Sequence, residues 1–231
     1  MLDQIRFKSK MLIAFITLVR DPRKTDRVFE LSSALRTRFG DRAAASLSYI
    51  LDHPAFKKNH TDEYNPRIDL SALKLLPEGS FGRETANFLE RNGFEPNAFP
   101  LIGSREPLDY LVSRLRQTHD LWHVLTGYQT DVPGELALQG FILAQVRSLF
   151  PITLITGGML HTLIFKPFEA VQTFERIIEG YTRGKQCQMI ALIRLENEWN
   201  TPLIELRAKL GLPPLSNNET RPVVSAELHR Q

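Results

Sequence analysis

Residues 107–150 read PLDYLVSRLRQTHDLWHVLTGYQTDVPGELALQGFILAQVRSLF, and the spacing of apolar and breaking residues in this stretch decides the fold. Pro107 suits the first turn of a helix, where a missing N–H costs nothing. From Leu108 apolar residues recur at helical spacing to about Leu125, and Gly127 supplies the stop. Asp131 then offers a side-chain oxygen to free backbone N–H groups, with Pro133 just behind it. A second helix therefore opens at Asp131-Val132-Pro133 and reaches Phe150. So short a connection makes the two helices antiparallel neighbours.

The same periodicity dominates the flanks, and alternating strand patterns are scarce. Upstream, Val28, Leu31, Leu35 and Phe39 share a helical face that Gly40 should end, and Asp41 restarts a helix through Leu47, Ile50 and Leu51. Asp52 to Asp69 reads as a long polar loop, a feature that inside a compact domain is often functional. Ser71 to Leu76 forms a short helical turn, Ser80 caps a helix to about Asn92 before Gly93, and Pro100 to Glu106 is a loop. Downstream, Glu169 to about Glu179 and Lys185 to about Leu210 read as helices, with Gly211 and Pro213-Pro214 ending the last. The expectation is an all-α, single-domain helical bundle over residues 1–215, followed by a loosely ordered C-terminal tail at 216–231.

With 42% hydrophobic and 24% charged residues in 231, the chain can bury a core and is not disordered. Cys187 is the one cysteine, which excludes a disulfide framework and a zinc site built on several thiolates. A net charge of +3 marks no basic face, so nucleic acid is not an expected partner. Met11 to Val19 is too short to cross a bilayer and reads as a buried helix. Ser148 to Phe165 carries no Asp, Glu, Lys or Arg, but Pro151 and Gly157-Gly158 interrupt it. A re-entrant, buried or lipid-facing segment is expected there.

Chemistry concentrates in Thr118-His119-Asp120-Leu121-Trp122-His123 and in Glu135, twelve residues further on. Residues three and four apart are neighbours on a helix. His119, Asp120 and His123 thus form a triangle, and the returning chain brings Glu135 towards it. Two nitrogens and two carboxylates suit Zn²⁺, Fe²⁺ or Mn²⁺, with Mg²⁺ not excluded, whereas Ca²⁺ asks for more oxygen. Asp replaces the Glu of the HExxH zinc-protease pattern, and no phosphate-binding or nucleophile-elbow motif is present, which disfavours hydrolase chemistry.

The segments His119-Asp120-x-x-His123-x-x-x-Gly127 and Thr130-x-x-x-Gly134-Glu135 resemble those of the ubiquinone (coenzyme Q) biosynthesis protein 4 family. Asn65-Pro66-Arg67-Ile68, Leu76-Pro77-Glu78-Gly79-Ser80-Phe81-Gly82 and Glu198-Trp199-Asn200-Thr201-Pro202-Leu203 with Leu206-Arg207 and Leu210-Gly211 extend the likeness from about Pro66 to Pro214. The resemblance implies metal ligands at His119, Asp120, His123 and Glu135, with zinc as the usual ion. It also implies a helical protein peripheral to membranes that acts on a polyprenylated aromatic ring. The implied reaction replaces the C1 carboxylate by hydroxyl, an oxidative decarboxylation, with Glu135 and Asp120 the candidate catalytic carboxylates. A non-catalytic scaffold binding isoprenoid lipid and organising other quinone-biosynthetic enzymes is the alternative role.

A prenyl tail requires an apolar groove. Leu138, Phe141 and Ile142 on one helix, and Met159 beside Gly157-Gly158, are the expected lipid-binding residues, and Arg67 the head-group contact. His161 reads as a hydrogen-bonded core histidine, Cys187 as inert packing, and Trp122 and Trp199 as packing anchors. His53 and His60 would serve as ligands only if their loop folded over the site. The basic run Lys8, Lys10, Arg20, Arg23, Lys24 and Arg27 reads as a solvated face able to touch anionic lipid. The expected location is cytoplasmic with peripheral membrane contact, and the expected partners are an isoprenoid lipid, a membrane surface, other quinone-biosynthetic enzymes and a second copy of the chain.

Overall fold

The computed structural model describes residues 13, 15–17, 19–20, 25–98 and 106–213. They form α1 (Thr25–Ser46), α2 (Ser48–Leu51), α3 (Pro54–Thr61), α4 (Leu70–Lys74), α5 (Phe81–Asn92), α6 (Pro107–Gln117), α7 (His119–Thr126), α8 (Val132–Val146), α9 (Leu149–Phe165), α10 (Ala170–Gln186) and α11 (Leu203–Leu210). Short 3₁₀ turns at Pro167–Glu169, Ile190–Leu192 and Leu195–Glu198 connect the later helices. Among the described residues there is no strand, and the fold is all-α as the periodicity predicts. The loop at 99–105, the tail from 214 and most of the N-terminal basic run lie outside the described residues.

Local chemistry sets the helix ends. The Asp69 carboxylate accepts from the backbone N–H groups of Ser71 and Ala72, Ser80 Oγ from Arg83 N, and Asp131 Oδ1 from Gly134 N at 2.8 Å. Gly93, Gly127 and Gly211 close α5, α7 and α11 with φ near 65°, 83° and 74°, a conformation that costs glycine little.

Helix α8 runs through the centre. Leu138 and Phe141 are wholly buried, and the Trp122 ring meets Phe141 edge-on at 5.9 Å. Helix α10 packs on α8 at backbone contact distance, because Gly140, Gly180 and Gly184 line the crossing. A Cβ on Gly180 would run into the Ala137 carbonyl, and one on Gly184 would lie 2.6 Å from Phe141 O. Leu47, Phe56, Phe81, Leu111, Leu125 and Leu206 join α8 in one continuous core.

Several expected boundaries move. Gly40 does not end a helix: nothing crowds it, and α1 runs through it to Ser46. The polar stretch after Asp52 contains α3, capped by His53, whose Nδ1 accepts from Ala55 N at 3.2 Å. The helix expected over 108–125 breaks at Thr118, whose hydroxyl donates to Arg114 O at 2.8 Å. Helix α8 stops at Val146, short of Phe150, and α10 continues past Glu179 to Gln186.

The long helix expected over 185–210 is absent. Gln145 Nε2 donates to Gly184 O and its Oε1 accepts from Ile190 N, both at 2.8 Å, which draws the chain away after α10. Of the N-terminal segment, Val19 is buried, but Ile13 and Ile16 are exposed, so it is only partly the buried helix expected. Ser148 to Phe165 becomes α9, which faces α8 on one side and exposes Leu160, Leu163, Ile164 and Phe165 on the other. No helix among the described residues is long and apolar enough to cross a membrane.

Candidate metal centre

His119 opens α7 and His123 stands one turn later, so both imidazoles leave the same face. The Asp131 cap fixes the start of α8 and places Glu135 in its first turn, opposite them. His123 Nε2 lies 3.2 Å from Glu135 Oε1, His119 Nε2 lies 3.8 Å from Glu135 Oε2, and the two rings are 4.9 Å apart. One ligand atom from each of the three residues lies within 4.8 Å of the others, the one such group among the described residues. Asp120 stands on the other side of the His119 ring, its Oδ1 3.7 Å from Nδ1.

The neighbours fix which nitrogen faces the site. His123 Nδ1 is 2.9 Å from the Tyr128 carbonyl, which can only accept, so Nδ1 carries the proton and Nε2 presents its lone pair. Phe88 stacks on the ring at 5.5 Å. His123 is 1% exposed, and its Nε2 has no hydrogen-bond partner of acceptable geometry. A buried lone pair facing a carboxylate at 3.2 Å calls for a cation or proton between them. The donor set therefore fits a divalent ion held by His119, His123 and Glu135.

The rest of α7 is clamped from behind. Arg207 Nε donates to Leu125 O at 2.8 Å and Nη2 to Val124 O at 2.9 Å, while Arg183 Nη1 donates to Thr126 O at 3.0 Å. These guanidiniums satisfy last-turn carbonyls and complement the negative helix end. Arg183 also lies over the Tyr128 ring at 5.0 Å, steadying the residue whose carbonyl orients His123. Burial opposes charge on His119, but the Asp120 and Glu135 carboxylates raise its pKa. Burial likewise opposes ionisation of Glu135, and His123 and His119 hold its pKa below the ordinary value.

His119, Asp120 and Glu135 lie on the wall of a cavity of about 1630 Å³. Its other walls are mainly apolar: Leu35 and Phe39 from α1, Leu111 and Leu115 from α6, Ile142 and Leu143 from α8, and Ile152 from α9. Arg67 also lines it. Of the four expected lipid contacts, Ile142 lines this cavity. Leu138 and Phe141 face the core instead, and Met159 is half-buried outside the lining. Helix α8 is apolar on nearly every side, so spacing alone could not say which face the cavity takes.

The other sequence candidates take structural places. His53 caps α3, His60 packs against Tyr110 at 5.2 Å, His161 Nδ1 meets Val19 O at 2.7 Å, and Trp199 stacks on Phe81 at 5.1 Å. Burial pushes the Cys187 thiol up to about 12, with nearby Arg183 countering only in part. Sequence reasoning missed Gln117 and Glu196, both of which line the cavity. They lie far apart in the chain and belong to no recognised spacing.

Fold and site together define an all-helical protein with a His-His-Glu candidate metal centre on the wall of a large apolar cavity. The chain belongs to the family described as Coenzyme Q (ubiquinone) biosynthesis protein Coq4, whose profile matches residues 58–216. It is 31% identical over 150 residues to the mitochondrial ubiquinone biosynthesis protein COQ4 homologue of Mus musculus, covering 64% of this chain and 55% of that one. It is 30% identical over 205 residues to the mitochondrial coq4 protein of Talaromyces stipitatus, covering 84% and 68%. A crystal structure from Nostoc punctiforme with a provisional ubiquinone-biosynthesis description superposes with a TM-score of 0.75 at 27% identity, covering 89% of this chain and 98% of that one. The chain thus spans little more than half the length of the mouse relative.

Proposed function

We propose that this chain is a metal-dependent protein of ubiquinone or prenyl-quinone biosynthesis that binds a polyprenylated aromatic lipid and supports oxidative decarboxylation at ring C1. The observation that carries this reading is a His-His-Glu cluster set in the wall of a cavity of about 1630 Å³ that is otherwise mainly apolar. Ordinary ligand pockets run to about 300–1,000 Å³. The larger space suits a long tail, and each CH₂ taken from water contributes about 0.8 kcal/mol.

His119 and His123 hold the ion through Nε2 and Glu135 through its carboxylate, with zinc the proposed metal and Fe²⁺, Mn²⁺ or Mg²⁺ the alternatives. A divalent ion bound there supplies Lewis acidity for an anionic ring substituent. Glu135 offsets positive charge at the site, Asp120 orients His119, and Arg67 is available for an anionic group deeper along the wall. Replacing a ring carboxylate by hydroxyl removes two electrons, so dioxygen or another acceptor must take part.

Leu149 and Ile152 both line the cavity and are exposed. They continue into an apolar surface on α9, the following 3₁₀ turn and α10, with Phe168 99% exposed and Val171, Phe174 and Ile178 beside it. That continuity supports a peripheral membrane position from which a lipid enters the cavity sideways. The same surface favours the second reading, a lipid-bound scaffold docking other quinone-biosynthetic enzymes. Glu135→Gln separates the two in a quinone-synthesis assay with matched protein levels. The catalytic reading expects loss of product from a folded variant. Undiminished product, with loss instead on Phe168→Glu/Phe174→Glu, overturns it in favour of the scaffold.

A further inference from the structure

We propose that Gln117 and Glu196, both gripped by Arg114, form a subsite that reads a hydroxyl group on the ring of the bound lipid. The inference rests on the reading of the cavity as the place of a hydroxylated aromatic ligand.

Arg114 projects from α6 and makes two bonds. Its Nη2 donates to Glu196 Oε1 at 2.7 Å and its Nη1 to Gln117 Oε1 at 3.3 Å. A guanidinium only donates, so the amide of Gln117 must turn its oxygen to Arg114 and leave Nε2 as its free end. By the same bond Glu196 keeps Oε2 free. Adjacent nitrogens of one guanidinium therefore hold an amide donor and a carboxylate acceptor side by side.

Both free atoms are buried without a hydrogen-bond partner. The Glu196 side chain is 7% exposed, and both residues line the cavity that holds His119, Asp120 and Glu135. Tyr64 approaches Glu196 from behind, but its hydroxyl is directed to Asn197 Oδ1 at 3.3 Å. An unmet buried donor or acceptor is costly, and here one of each stands on the wall of a ligand cavity.

Ligand chemistry follows from the pair. A carboxylate or phosphate would satisfy Gln117 but face Glu196 with like charge. An ammonium would satisfy Glu196 and leave the Gln117 N–H unmet. A hydroxyl donates to Glu196 Oε2 and accepts from Gln117 Nε2, satisfying both at once. A phenolic hydroxyl is the group of this kind that an aromatic quinone precursor carries. Anchoring it here leaves the acidic substituent of the ring free to face the His119–Glu135 cluster. A site built this way rejects an analogue lacking the hydroxyl, because its own polar groups then stay unpaired.

The test is calorimetric titration of the full chain with 3-geranyl-4-hydroxybenzoate and with its deoxy analogue, 3-geranylbenzoate. Wild-type protein should bind the hydroxylated probe about tenfold more tightly, the size of one good hydrogen bond to a buried group. Gln117→Leu, which leaves the Arg114–Glu196 pair in place, should erase that preference while binding the deoxy probe unchanged. Should Gln117→Leu not fold, Glu196→Asp keeps a carboxylate for Arg114 but withdraws the free oxygen, and should erase the preference likewise. A preference that survives in the variant, or an equal loss for both probes, overturns the proposal and leaves the pair holding a structural water only. Binding of neither probe to wild type would overturn the aromatic-lipid reading itself, and the subsite with it.

Discussion

Alanine at two helix-interior glycines should move stability in opposite directions. Helix propensity alone predicts the same gain at both, about 1 kcal/mol for Gly→Ala. At Gly157, in α9, the new Cβ would lie 3.5 Å from Phe15 Cε2 and 3.9 Å from Cδ2, ordinary contact distances. Gly157→Ala should therefore raise the melting temperature by about 2–4 °C, the shift that 1 kcal/mol gives at this chain length. At Gly180, in α10, the Cβ would overlap the Ala137 carbonyl oxygen and stand 3.2 Å from Phe141 N. Backbone atoms of α8 cannot rotate aside as a flexible side chain can. Overpacking of this kind costs about 1–3 kcal/mol and occasionally more. Taking the upper figure less the propensity gain leaves a net loss of about 2 kcal/mol, or about 4–8 °C. Thermal melts followed at 222 nm on chelator-treated protein measure both, since a bound ion would add its own stabilisation. A Gly180→Ala melt at or above wild type would refute the backbone contact between α8 and α10, and with it the account of how Glu135 is held.

Two other perturbations act on the centre itself. Arg207→Lys should cost about 1.5–3 kcal/mol, because one ammonium cannot reproduce the paired bonds to Val124 O and Leu125 O; urea titration measures the loss, and wild-type stability would contradict the clamp. The metal-free protein should be most stable between pH 4.5 and 6.5. Glu135, with its pKa lowered from 4.5, contributes fully above that value and loses its contribution as pH falls through the lowered pKa. His119, with its pKa raised from 6.5, contributes fully below that value and loses its contribution as pH rises through the raised pKa. Chelator-treated denaturation curves across pH check this, and a stability that still climbs above neutrality would count against it.

The site was largely legible because helical geometry alone brings His119 and His123 together, and Asp131 with Pro133 announces the helix start that carries Glu135. What spacing could not give was the break at Thr118, made by one hydroxyl bond to Arg114 O. Nor could it give the end of α10, where Gln145 captures Ile190 N from a distant helix. Gly40 misled because a glycine in an uncrowded helix costs stability without ending the helix. Leu138 and Phe141 misled for a different reason: a helix buried all round has no face to announce, so the cavity wall fell to Ile142 and Leu143 instead. Glu196 reaches the cavity only through the ion pair with Arg114, a relation between residues 82 apart that no local pattern encodes.

The central claim is that His119, His123 and Glu135 form a metal site. Native mass spectrometry of untagged protein, beside a His119→Ala/His123→Ala variant whose fold is confirmed by circular dichroism, tests it most directly. The account predicts one divalent ion per wild-type chain and none on the variant. An ion retained equally by the variant, or none on wild type supplied with Zn²⁺, Fe²⁺, Mn²⁺ and Mg²⁺ in turn, would contradict it.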